Sequence, residues 1–256
     1  MKTILLYKKV SITPLQAIWE FQLKFPEYQN VKIGYAGRLD PMAEGLLLIL
    51  IGDENRQKKK YEDMSKSYDF EILLGIETDT YDLMGLVKNI NSTISLNSEV
   101  EKHIREKLNM LIGTLDQKYP PYSSVRVNGK PLFYWAREGK IKEVKIPSKK
   151  IIISSITLNN LEVINLKDII IETCKKINNV NGKFRQDRII ANWTEINKKN
   201  PSLKLIKLGC SVSCSKGTYV RAIAHEIGQT LKVGAIALSI KRIKIGPFSI
   251  EDAINI

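Results

Sequence analysis

Segments with the periodicity of strands are interspersed with helix-like segments along this chain, without a regular alternation of the two. Leu46 to Ile51 is a short apolar run typical of a buried strand, and Tyr68 to Leu74 mostly alternates apolar with polar residues. Ile151 to Ile153 and Ile156 to Val163 also favour strands, as does Leu203 to Val212 more weakly. Because no regular βαβ unit connects these strands, the sequence predicts an α+β fold rather than a doubly wound parallel sheet.

The first helix is predicted from its capping residues. Thr13 is a residue type that accepts hydrogen bonds from the free amides of a helix N-terminus, and Pro14 suits the first helical position. Ile18, Phe21 and Leu23 follow and would form the apolar side of this helix. We therefore expect a helix that begins at Pro14 and packs through these three side chains.

Three further segments carry helical signals. Ser98 and Glu101 have the spacing of a capping box, and apolar residues follow them at helical intervals. Val220 to Leu231 has apolar residues spaced for one helical face. The segment 166–201 is polar, rich in Lys and Asn, and prone to form helix between two strand candidates. We predict that it is an inserted helical segment.

One loop combines conformational freedom with a single carboxylate. Gly34 to Pro41 is predicted to be a loop because it holds two glycines and ends in Asp40-Pro41, and Gly45 follows shortly after. A carboxylate on a rigid loop just before a buried strand suits a nucleophile or a general base. The alternative is an Asx-type turn in which the Asp40 side chain binds only its own backbone. The chemistry of the loop leaves both interpretations open.

Charge and cysteine content limit the partners and the compartment. The chain has 40 Lys+Arg against 27 Asp+Glu, a net charge of +13 that favours a polyanionic partner such as nucleic acid. A coding bias towards Ile, Lys and Asn would produce the same excess. Three cysteines in 256 residues do not make a disulfide framework, so we expect a reducing compartment, the cytoplasm. The longest apolar run, Leu46 to Ile51, is too short to cross a bilayer, so we expect no membrane association.

Four blocks of residues occur in one order and cover most of the chain. They are Gly37-Arg38-Leu39-Asp40-Pro41 with Gly45-Leu46-Leu47, then Tyr68 with Thr78-Asp79-Thr80-Tyr81-Asp82, then Pro120-Pro121-Tyr122-Ser123-Ser124 with Ala136-Arg137, and finally Cys214-Ser215-Lys216-Gly217-Thr218-Tyr219-Val220-Arg221 with Lys241-Arg242. In these blocks the chain resembles the TruB family of tRNA pseudouridine synthases. The order of the four blocks makes this resemblance specific.

The resemblance implies an architecture and a reaction. The fold would be the α+β pseudouridine synthase fold, a mixed and mainly antiparallel sheet flanked by helices, in one domain over residues 1–256. In two respects the chain departs from the family pattern: we expect the segment 166–201 to be an insertion, and we expect no C-terminal PUA-type domain. The reaction would isomerise the T-loop uridine of tRNA to pseudouridine. Because no atom is gained, no cofactor or metal is expected, and we expect a monomer without an obligatory protein partner.

The family's functional residues correspond to particular positions of this chain. Asp40 would be the nucleophile, and Arg221 would pair with it. Burial alone disfavours an ionised carboxyl group, and the planar guanidinium of arginine suits a carboxylate. Tyr68 would stack on the target base, which is extruded from the RNA, and would help to move its C5 proton. Ile240 would form an apolar wall of the pocket, although core packing explains it equally well.

Substrate binding is assigned to a second set of residues. Tyr35 stands where the family usually has a histidine, five positions before the aspartate, so an aromatic ring is retained. Asp82 is a candidate for orienting the pocket or the RNA loop, with a turn role as the simpler alternative. Phosphate contacts are expected from Arg38, Lys130 and Lys216. Further candidates for phosphate contacts are Lys58, Lys59, Lys60, Arg137, Lys149 and Lys150.

Two other functions fit part of the sequence. A tRNA-folding chaperone would use the same basic surface to bind RNA without catalysis. A metal-dependent nuclease would be built from carboxylates, for which the candidates are Asp40, Glu44, Asp79 and Asp82. A zinc site at Cys210, Cys214 and His225 is not expected, because a fourth suitable ligand is absent near them.

Overall fold

The computed structural model describes residues 3–91 and 96–256, in which one mixed sheet of ten strands dominates. Four shorter strands form two separate hairpins, β5 with β6 and β8 with β9. The strands are β1 (Thr3–Lys8), β2 (Ile33–Ala36), β3 (Ala43–Ile51), β4 (Lys66–Leu74), β5 (Ile76–Thr78), β6 (Val87–Ile90), β7 (Gly113–Lys118), β8 (Arg126–Val127), β9 (Lys130–Pro131), β10 (Ser148–Asn165), β11 (Lys204–Cys214), β12 (Ala235–Ile245), β13 (Phe248–Ser249) and β14 (Ile254–Asn255).

The main sheet runs in the order β14-β1-β3-β12-β4-β11-β10-β7, with β2 pairing β3 and β13 pairing β12. The β3–β12 and β1–β14 pairs are parallel, and the other pairs are antiparallel. This is the mixed and mainly antiparallel sheet that the resemblance implies. The central strand β12 lies between β3 and β4, so it brings the segment after Asp40 next to the strand that carries Tyr68.

The described part of the chain contains seven α-helices. They are α1 (Pro14–Lys24), α2 (Lys58–Glu62), α3 (Ser98–Asn109), α4 (Leu132–Arg137), α5 (Leu166–Asn178), α6 (Gln186–Lys199) and α7 (Val220–Thr230). Helix α7 packs its buried residues Ile223, Ala224 and Ile227 into the largest core cluster, together with side chains of β4, β11 and β12. No helix among the described residues combines the length and the apolar character that crossing a bilayer requires.

The structure confirms most of the predicted elements. Helix α1 begins at Pro14, and Thr13 caps it through a full capping box with Gln16. Strands β3, β4 and β11 cover the predicted strand segments, and α7 covers the predicted helix near the C-terminal end. The segment 166–201 forms the two helices α5 and α6. These elements could be predicted because local periodicity and capping determine them.

Four details of the predicted elements are wrong, and each has a local cause. Leu23 is exposed because it projects away from the buried Phe21 on α1. The cap of α3 is Asn97, whose side chain accepts the Val100 amide, so Ser98 is already helical. Residues 33–36 form a strand on the edge of β3 rather than a loop. The two segments predicted between 151 and 163 are one strand, β10, interrupted by a register shift after Ile153.

The inserted segment packs on the turn that follows β5. Leu166, Ile170, Ile177, Ile189 and Trp193 form a second core cluster with Met42 and the apolar residues of this turn, Leu83, Met84 and Leu86. The indole Nε1 of Trp193 donates to the Gly85 carbonyl at 3.2 Å. The segment 166–201 is therefore part of the packed core and covers the acidic turn 79–86.

Candidate active site

A cleft of about 910 Å³ opens beside the ends of β3, β4 and β12. Its lining includes the loop 37–43, β4 at Tyr68, the turn 80–84, residues 122–124 and residues 216–221. Asp40, Tyr68, Arg221, Tyr35, Arg38, Asp82, Lys216 and Ile240 are all among the lining residues. The structure thus brings eight of the nine predicted site residues together from distant parts of the chain.

Asp40 and Arg221 form an ion pair in this cleft. The guanidinium Nε of Arg221 lies 3.0 Å from Oδ2 of Asp40. The structure thus brings together the two side chains that the resemblance implies as partners. The alternative interpretation of Asp40 as a residue that binds only its own backbone is therefore incomplete, because its carboxylate has a buried cationic partner.

The guanidinium of Arg221 is fixed by two backbone carbonyls. Its terminal nitrogens donate to the carbonyl of Thr80 at 2.9 Å and to that of Tyr122 at 2.8 Å. Burial lowers the pKa of Arg221, but the charges of Asp40 and Asp82 outweigh burial and raise its pKa above the usual value. Arg221 therefore presents a permanent positive charge to Asp40 in one orientation.

A second buried arginine, Arg242, holds the loop that carries Asp40. It is only 1% exposed, and its Nε donates to the Leu46 carbonyl at 2.7 Å. Its terminal nitrogens donate to the carbonyls of Gly37 and Arg38 at 3.2 and 3.4 Å. Gly45 has a φ of +105° and packs directly against the Arg242 backbone, where any Cβ would clash. The glycine therefore permits the close approach of β3 and β12 on which this loop anchor depends.

Tyr68 lies on β4 opposite Arg242 in register, and it is 8% exposed. Its ring lines the cleft. Burial raises the pKa of the Tyr68 hydroxyl, and the charge of Arg242 only partly opposes this shift. The phenol is therefore neutral at physiological pH, so its hydroxyl can donate a proton and its oxygen can accept a hydrogen bond.

Asp82 is buried behind the ion pair, on the turn after β5. Its Oδ1 accepts hydrogen bonds from the Thr80 hydroxyl at 2.6 Å and from the Met84 amide at 2.9 Å. Burial raises its pKa, while the charge of Arg221 and the bond from Thr80 lower it. Asp82 thus stabilises the turn that supplies the Thr80 carbonyl to Arg221, and it also lines the cleft.

The predicted RNA-binding residues have different placements. Tyr35 lies half-buried on β2 with the Lys58 ammonium 5.4 Å from its ring, and Arg38 is exposed at the cleft. Lys216 lines the cleft and pairs with Asp63 at 2.8 Å.

Lys130 does not line the cleft: its ammonium lies 4.0 Å from the centroid of the Tyr134 ring in the β8–β9 hairpin region. Of the further phosphate candidates, Arg137 and Lys149 line the cleft, whereas Lys58, Lys59, Lys60 and Lys150 do not.

Ile240 is half-buried, lines the cleft and also packs against the largest core cluster. It pairs with Ala43 of β3 and with Phe70 of β4. Both interpretations of this residue, a pocket wall and a core side chain, describe its position.

Two buried lysines near the loop were not predicted as site residues. Lys8 is 0% exposed, and its ammonium donates to the Ile12 and Lys9 carbonyls at 2.7 and 2.9 Å. Burial lowers its pKa to about 7, although the nearby charge of Asp40 opposes the shift. Lys66 lines the cleft, and burial lowers its pKa to about 8. A lysine in a strand pattern carries no sequence signal that distinguishes a buried ammonium from an exposed one.

Phe184 and Arg185 of the inserted segment also line the cleft. Arg185 pairs with Asp79, and its guanidinium carbon lies 4.4 Å from the centroid of the Tyr122 ring. Sequence reasoning missed these residues because they belong to a Lys- and Asn-rich stretch in which one arginine has no distinguishing context. Only the packing of α5 and α6 on the acidic turn brings them to the cleft.

The carboxylates proposed for a metal-dependent nuclease do not converge. Asp40 faces Arg221, Asp79 faces Arg185, and Glu44 accepts the Tyr7 hydroxyl at 2.8 Å. Within residues 3–91 and 96–256, no group of three or more His, Cys, Asp or Glu side chains is arranged to hold a metal ion. The placement of these carboxylates therefore gives the nuclease alternative no support.

Several known proteins are similar in sequence to this chain. The N-terminal domain of the TruB family pseudouridylate synthases matches residues 26–176, more than half of the chain. A tRNA pseudouridine synthase B of Endomicrobium trichonymphae is 31% identical over 98% of this chain and 88% of its own length. The chain belongs to the TruB family. The TruB family members of Clostridium perfringens and Carboxydothermus hydrogenoformans, also called tRNA pseudouridine synthase B, are 32% identical over 88% and 87% of this chain. The chain spans 61% and 62% of their lengths.

Solved structures with the same fold come from more distant proteins. A chain of a Cbf5-Nop10-Gar1 complex superposes with a TM-score of 0.59 and 17% identity, over 99% of this chain and 52% of that one. A chain of an H/ACA RNP bound to a substrate RNA containing 2′-deoxyuridine gives a TM-score of 0.56 at 15% identity, over 99% and 50% of the two chains. These matches place the TruB family member described here in the pseudouridine synthase fold.

Proposed function

We propose that this chain converts the T-loop uridine of tRNA to pseudouridine and that Asp40 is the nucleophile. The observation that carries the proposal is the ion pair between Asp40 and the buried Arg221 at the floor of the cleft. Membership of the TruB family supports the reaction, and the name of the relatives, tRNA pseudouridine synthase B, supports tRNA as the substrate.

The reaction is an isomerisation in which the atoms balance without a second reactant. The bond between the ribose C1′ and the uracil N1 breaks, the base turns, and C1′ bonds to C5. The C5 proton leaves and N1 gains a proton. No electron acceptor or group donor is needed, so the side chains of the cleft can supply the chemistry.

An ionised carboxylate is needed to act on the nucleotide, and Arg221 provides the counter-charge. Its guanidinium is held by the Thr80 and Tyr122 carbonyls, so it stays in place when Asp40 moves towards the substrate. An arrangement fixed before the reaction needs no reorganisation during it. Whether Asp40 first attacks the sugar or the base, Arg221 has the same role of stabilising its negative charge.

Tyr68 is proposed to stack on the extruded uracil and to move the C5 proton. An aromatic ring at a cleft wall is a suitable platform for a base that has left its stack. Because burial keeps its hydroxyl neutral, Tyr68 can move the C5 proton only as a relay, in which its oxygen takes up that proton while its hydroxyl releases its own towards the atom that is protonated. Ile240, which lines the same cleft, would keep water away from the base.

The rim of the cleft provides the groups that would hold the RNA. Arg38, Arg137, Lys149 and Lys216 line it and would bind phosphates, and the net charge of +13 would speed the encounter with tRNA. Tyr35 would stack on the RNA in place of the family histidine. Phosphate contacts position the RNA, and shape and stacking select the loop. Lys130 lies away from the cleft, so we propose that it binds a phosphate of the RNA farther from the target uridine.

We propose further that the chain acts as a monomer in the cytoplasm without an obligatory protein partner. Its three cysteines are unpaired, as expected in a reducing compartment.

The test is incubation of the purified protein with an unmodified tRNA transcript, followed by chemical labelling that maps pseudouridine. The expected result is one pseudouridine at the T-loop uridine, at the same rate in monovalent salt with excess chelator, and RNA of unchanged length. A transcript with cytidine at that position is the matched control and should remain unmodified. Pseudouridine at another position would overturn the substrate, and its absence from every position would overturn the reaction.

A further inference from the structure

We infer that Arg185 of the inserted segment is a positioning residue: it clamps Asp79 to Tyr122 and thereby holds the backbone that orients Arg221. The inference rests on the proposed function, because its effect is measured on pseudouridine formation. It assigns a role to a segment that the sequence identified only as an insertion.

Arg185 binds both partners closely. Its terminal nitrogens donate to the two carboxylate oxygens of Asp79 at 2.8 and 3.3 Å, a bidentate contact. Its guanidinium carbon lies 4.4 Å from the centroid of the Tyr122 ring, and the Tyr122 hydroxyl lies 3.3 Å from the same carboxylate. The side chains of Arg185 and Asp79 are 22% and 16% exposed, so the contact is largely shielded from water. Three side chains from three separate segments therefore form one closed cluster.

This cluster is continuous with the catalytic ion pair through the backbone. Asp79 precedes Thr80, whose carbonyl accepts a hydrogen bond from Arg221, and the carbonyl of Tyr122 accepts the second one. Both acceptors of Arg221 thus belong to the two segments that Arg185 joins. Without Arg185, the 3.3 Å hydrogen bond from the Tyr122 hydroxyl would be the remaining contact of this cluster between the acidic turn and the segment 120–124, and the Arg221 guanidinium would be held less firmly towards Asp40.

Contacts within the inserted segment and with the acidic turn fix the position of Arg185. Arg185 has a left-handed backbone with a φ of 67°, a conformation that costs energy for a residue with a Cβ. The Gln186 side chain stabilises it by donating to the Val180 and Gly182 carbonyls and accepting the Phe184 amide. On the following helix, Asn192 accepts the Val87 amide at 2.8 Å. The insertion therefore fixes the position of Arg185 relative to the acidic turn on both sides of it.

A direct contact between Arg185 and RNA phosphate is the competing interpretation, because Arg185 also lines the cleft. The geometry favours positioning. Both terminal nitrogens are directed at Asp79, and one face of the guanidinium is covered by Tyr122. Arg137 provides an exposed guanidinium at the same wall that is better placed to meet a phosphate.

The experiment compares Arg185→Ala and Arg185→Lys with Arg188→Ala, a nearby arginine that is exposed on α6. Single-turnover rate constants at saturating protein and Kd values for the tRNA transcript are measured separately. For R185A we expect the rate constant to fall about tenfold to a hundredfold, as for a misplacement of a catalytic group by about 1 Å. Its Kd should stay within about threefold, and R188A should match the wild type in both quantities. R185K should lose less, because the charge remains while the planar fork is lost.

Asp79→Asn supplies a second, independent readout. Because Arg185 acts through Asp79, the rate loss in the double variant R185A/D79N should be clearly smaller than the product of the two single losses. If R185A is too unstable to purify, R185K and D79N alone carry the same comparison. An unchanged rate constant would overturn the inference, as would a Kd that rises at an unchanged rate, which would make Arg185 an RNA contact. Failure of the proposed function is distinguishable, since the wild type itself would then form no pseudouridine.

Discussion

Arg221 is buried more deeply than the carboxylate with which it pairs: its side chain is 5% exposed, whereas that of Asp40 is 33% exposed. The cation is therefore part of the fixed protein interior, and the carboxylate faces the cleft. This arrangement lets Asp40 approach a substrate while its counter-charge stays in place.

Asp40→Asn should abolish pseudouridine formation while RNA binding is retained. The amide is nearly isosteric but is neither a nucleophile nor a base, so we expect the single-turnover rate constant to fall by at least about a thousandfold. The Kd for tRNA should stay within about threefold. Asp53→Asn, at an exposed carboxylate on the surface, is the matched control and should behave as the wild type. A tRNA-folding chaperone would be indifferent to D40N in every assay, and full pseudouridine formation by this variant would exclude Asp40 as nucleophile.

Arg221→Ala should lower both stability and activity. It leaves the Thr80 and Tyr122 carbonyls without their donor and Asp40 without its partner, so we expect a loss of about 2–4 kcal/mol in the free energy of unfolding. Arg221→Lys keeps a charge but cannot reach three acceptors with one nitrogen, and its rate constant should fall by about a hundredfold. Urea unfolding and single-turnover kinetics measure the two effects.

The control for Arg221 is Arg105→Ala. Arg105 pairs with Glu101 on α3, with side chains 50% and 42% exposed, so its removal should cost less than about 1 kcal/mol. Equal stability losses for R221A and R105A would contradict the structural importance of the buried arginine.

Tyr68→Phe separates the ring of Tyr68 from its hydroxyl. The ring that stacks on the base remains, so the Kd for tRNA should change little. The proton carrier is lost, so the single-turnover rate constant should fall by about a hundredfold. Tyr119→Phe, at a tyrosine that packs edge-on against Tyr219, should leave the rate unchanged. If Y68F reacts as fast as the wild type, the hydroxyl has no part in proton transfer and Tyr68 serves only as a stacking surface.

His225 should make stability depend on pH in the acidic range. Burial lowers its pKa from 6.5 to about 4, and its ring stacks on that of Tyr81 at 3.7 Å. Between these two pH values the unfolded chain binds a proton that the folded chain does not, so the free energy of unfolding falls as the pH decreases from about 6.5 to 4. His225→Phe retains a ring for the stack and should make this fall less steep. Urea unfolding at pH 7, 6 and 5 measures it.

The other histidine provides the comparison for His225. The chain has two histidines, and His103 is exposed on α3. His103→Gln should leave the pH dependence of stability as in the wild type. Identical pH profiles for H225F and the wild type would show that the burial of His225 does not affect the linkage.

The parts of the site that could be predicted are those set by short-range sequence. Thr13 and Pro14 are local signals that predict the start of α1. The alternation of apolar and polar residues predicts β4 and places Tyr68 on its buried face. Asp40 could be selected as a candidate because it is a single carboxylate in a glycine-containing loop, just before an apolar run typical of a buried strand. Arg221 was identified only because the resemblance connects it with Asp40, since nothing in its own helix distinguishes a cleft arginine from a surface one.

Arg242 and Arg185 show what sequence patterns cannot convey. Arg242 anchors the Asp40 loop because β12 lies between β3 and β4, an order that strand periodicity does not specify. Arg185 reaches the cleft because α5 and α6 pack on the acidic turn. In both cases a long side chain could face either water or protein. Which of the two it faces depends on the residues that pack against it from distant parts of the chain.

The sequence by itself predicted the α+β class, the family, and the positions of the helices and strands with the clearest periodicity and capping. These depend on residue type, spacing and local capping, which the order of the chain contains. The tertiary structure alone decided which charged side chains form ion pairs, which lysines are buried and which backbone carbonyls accept hydrogen bonds from Arg221. Those properties arise from contacts between segments far apart in the chain and from the desolvation that such contacts impose, and neither exists before the chain is folded.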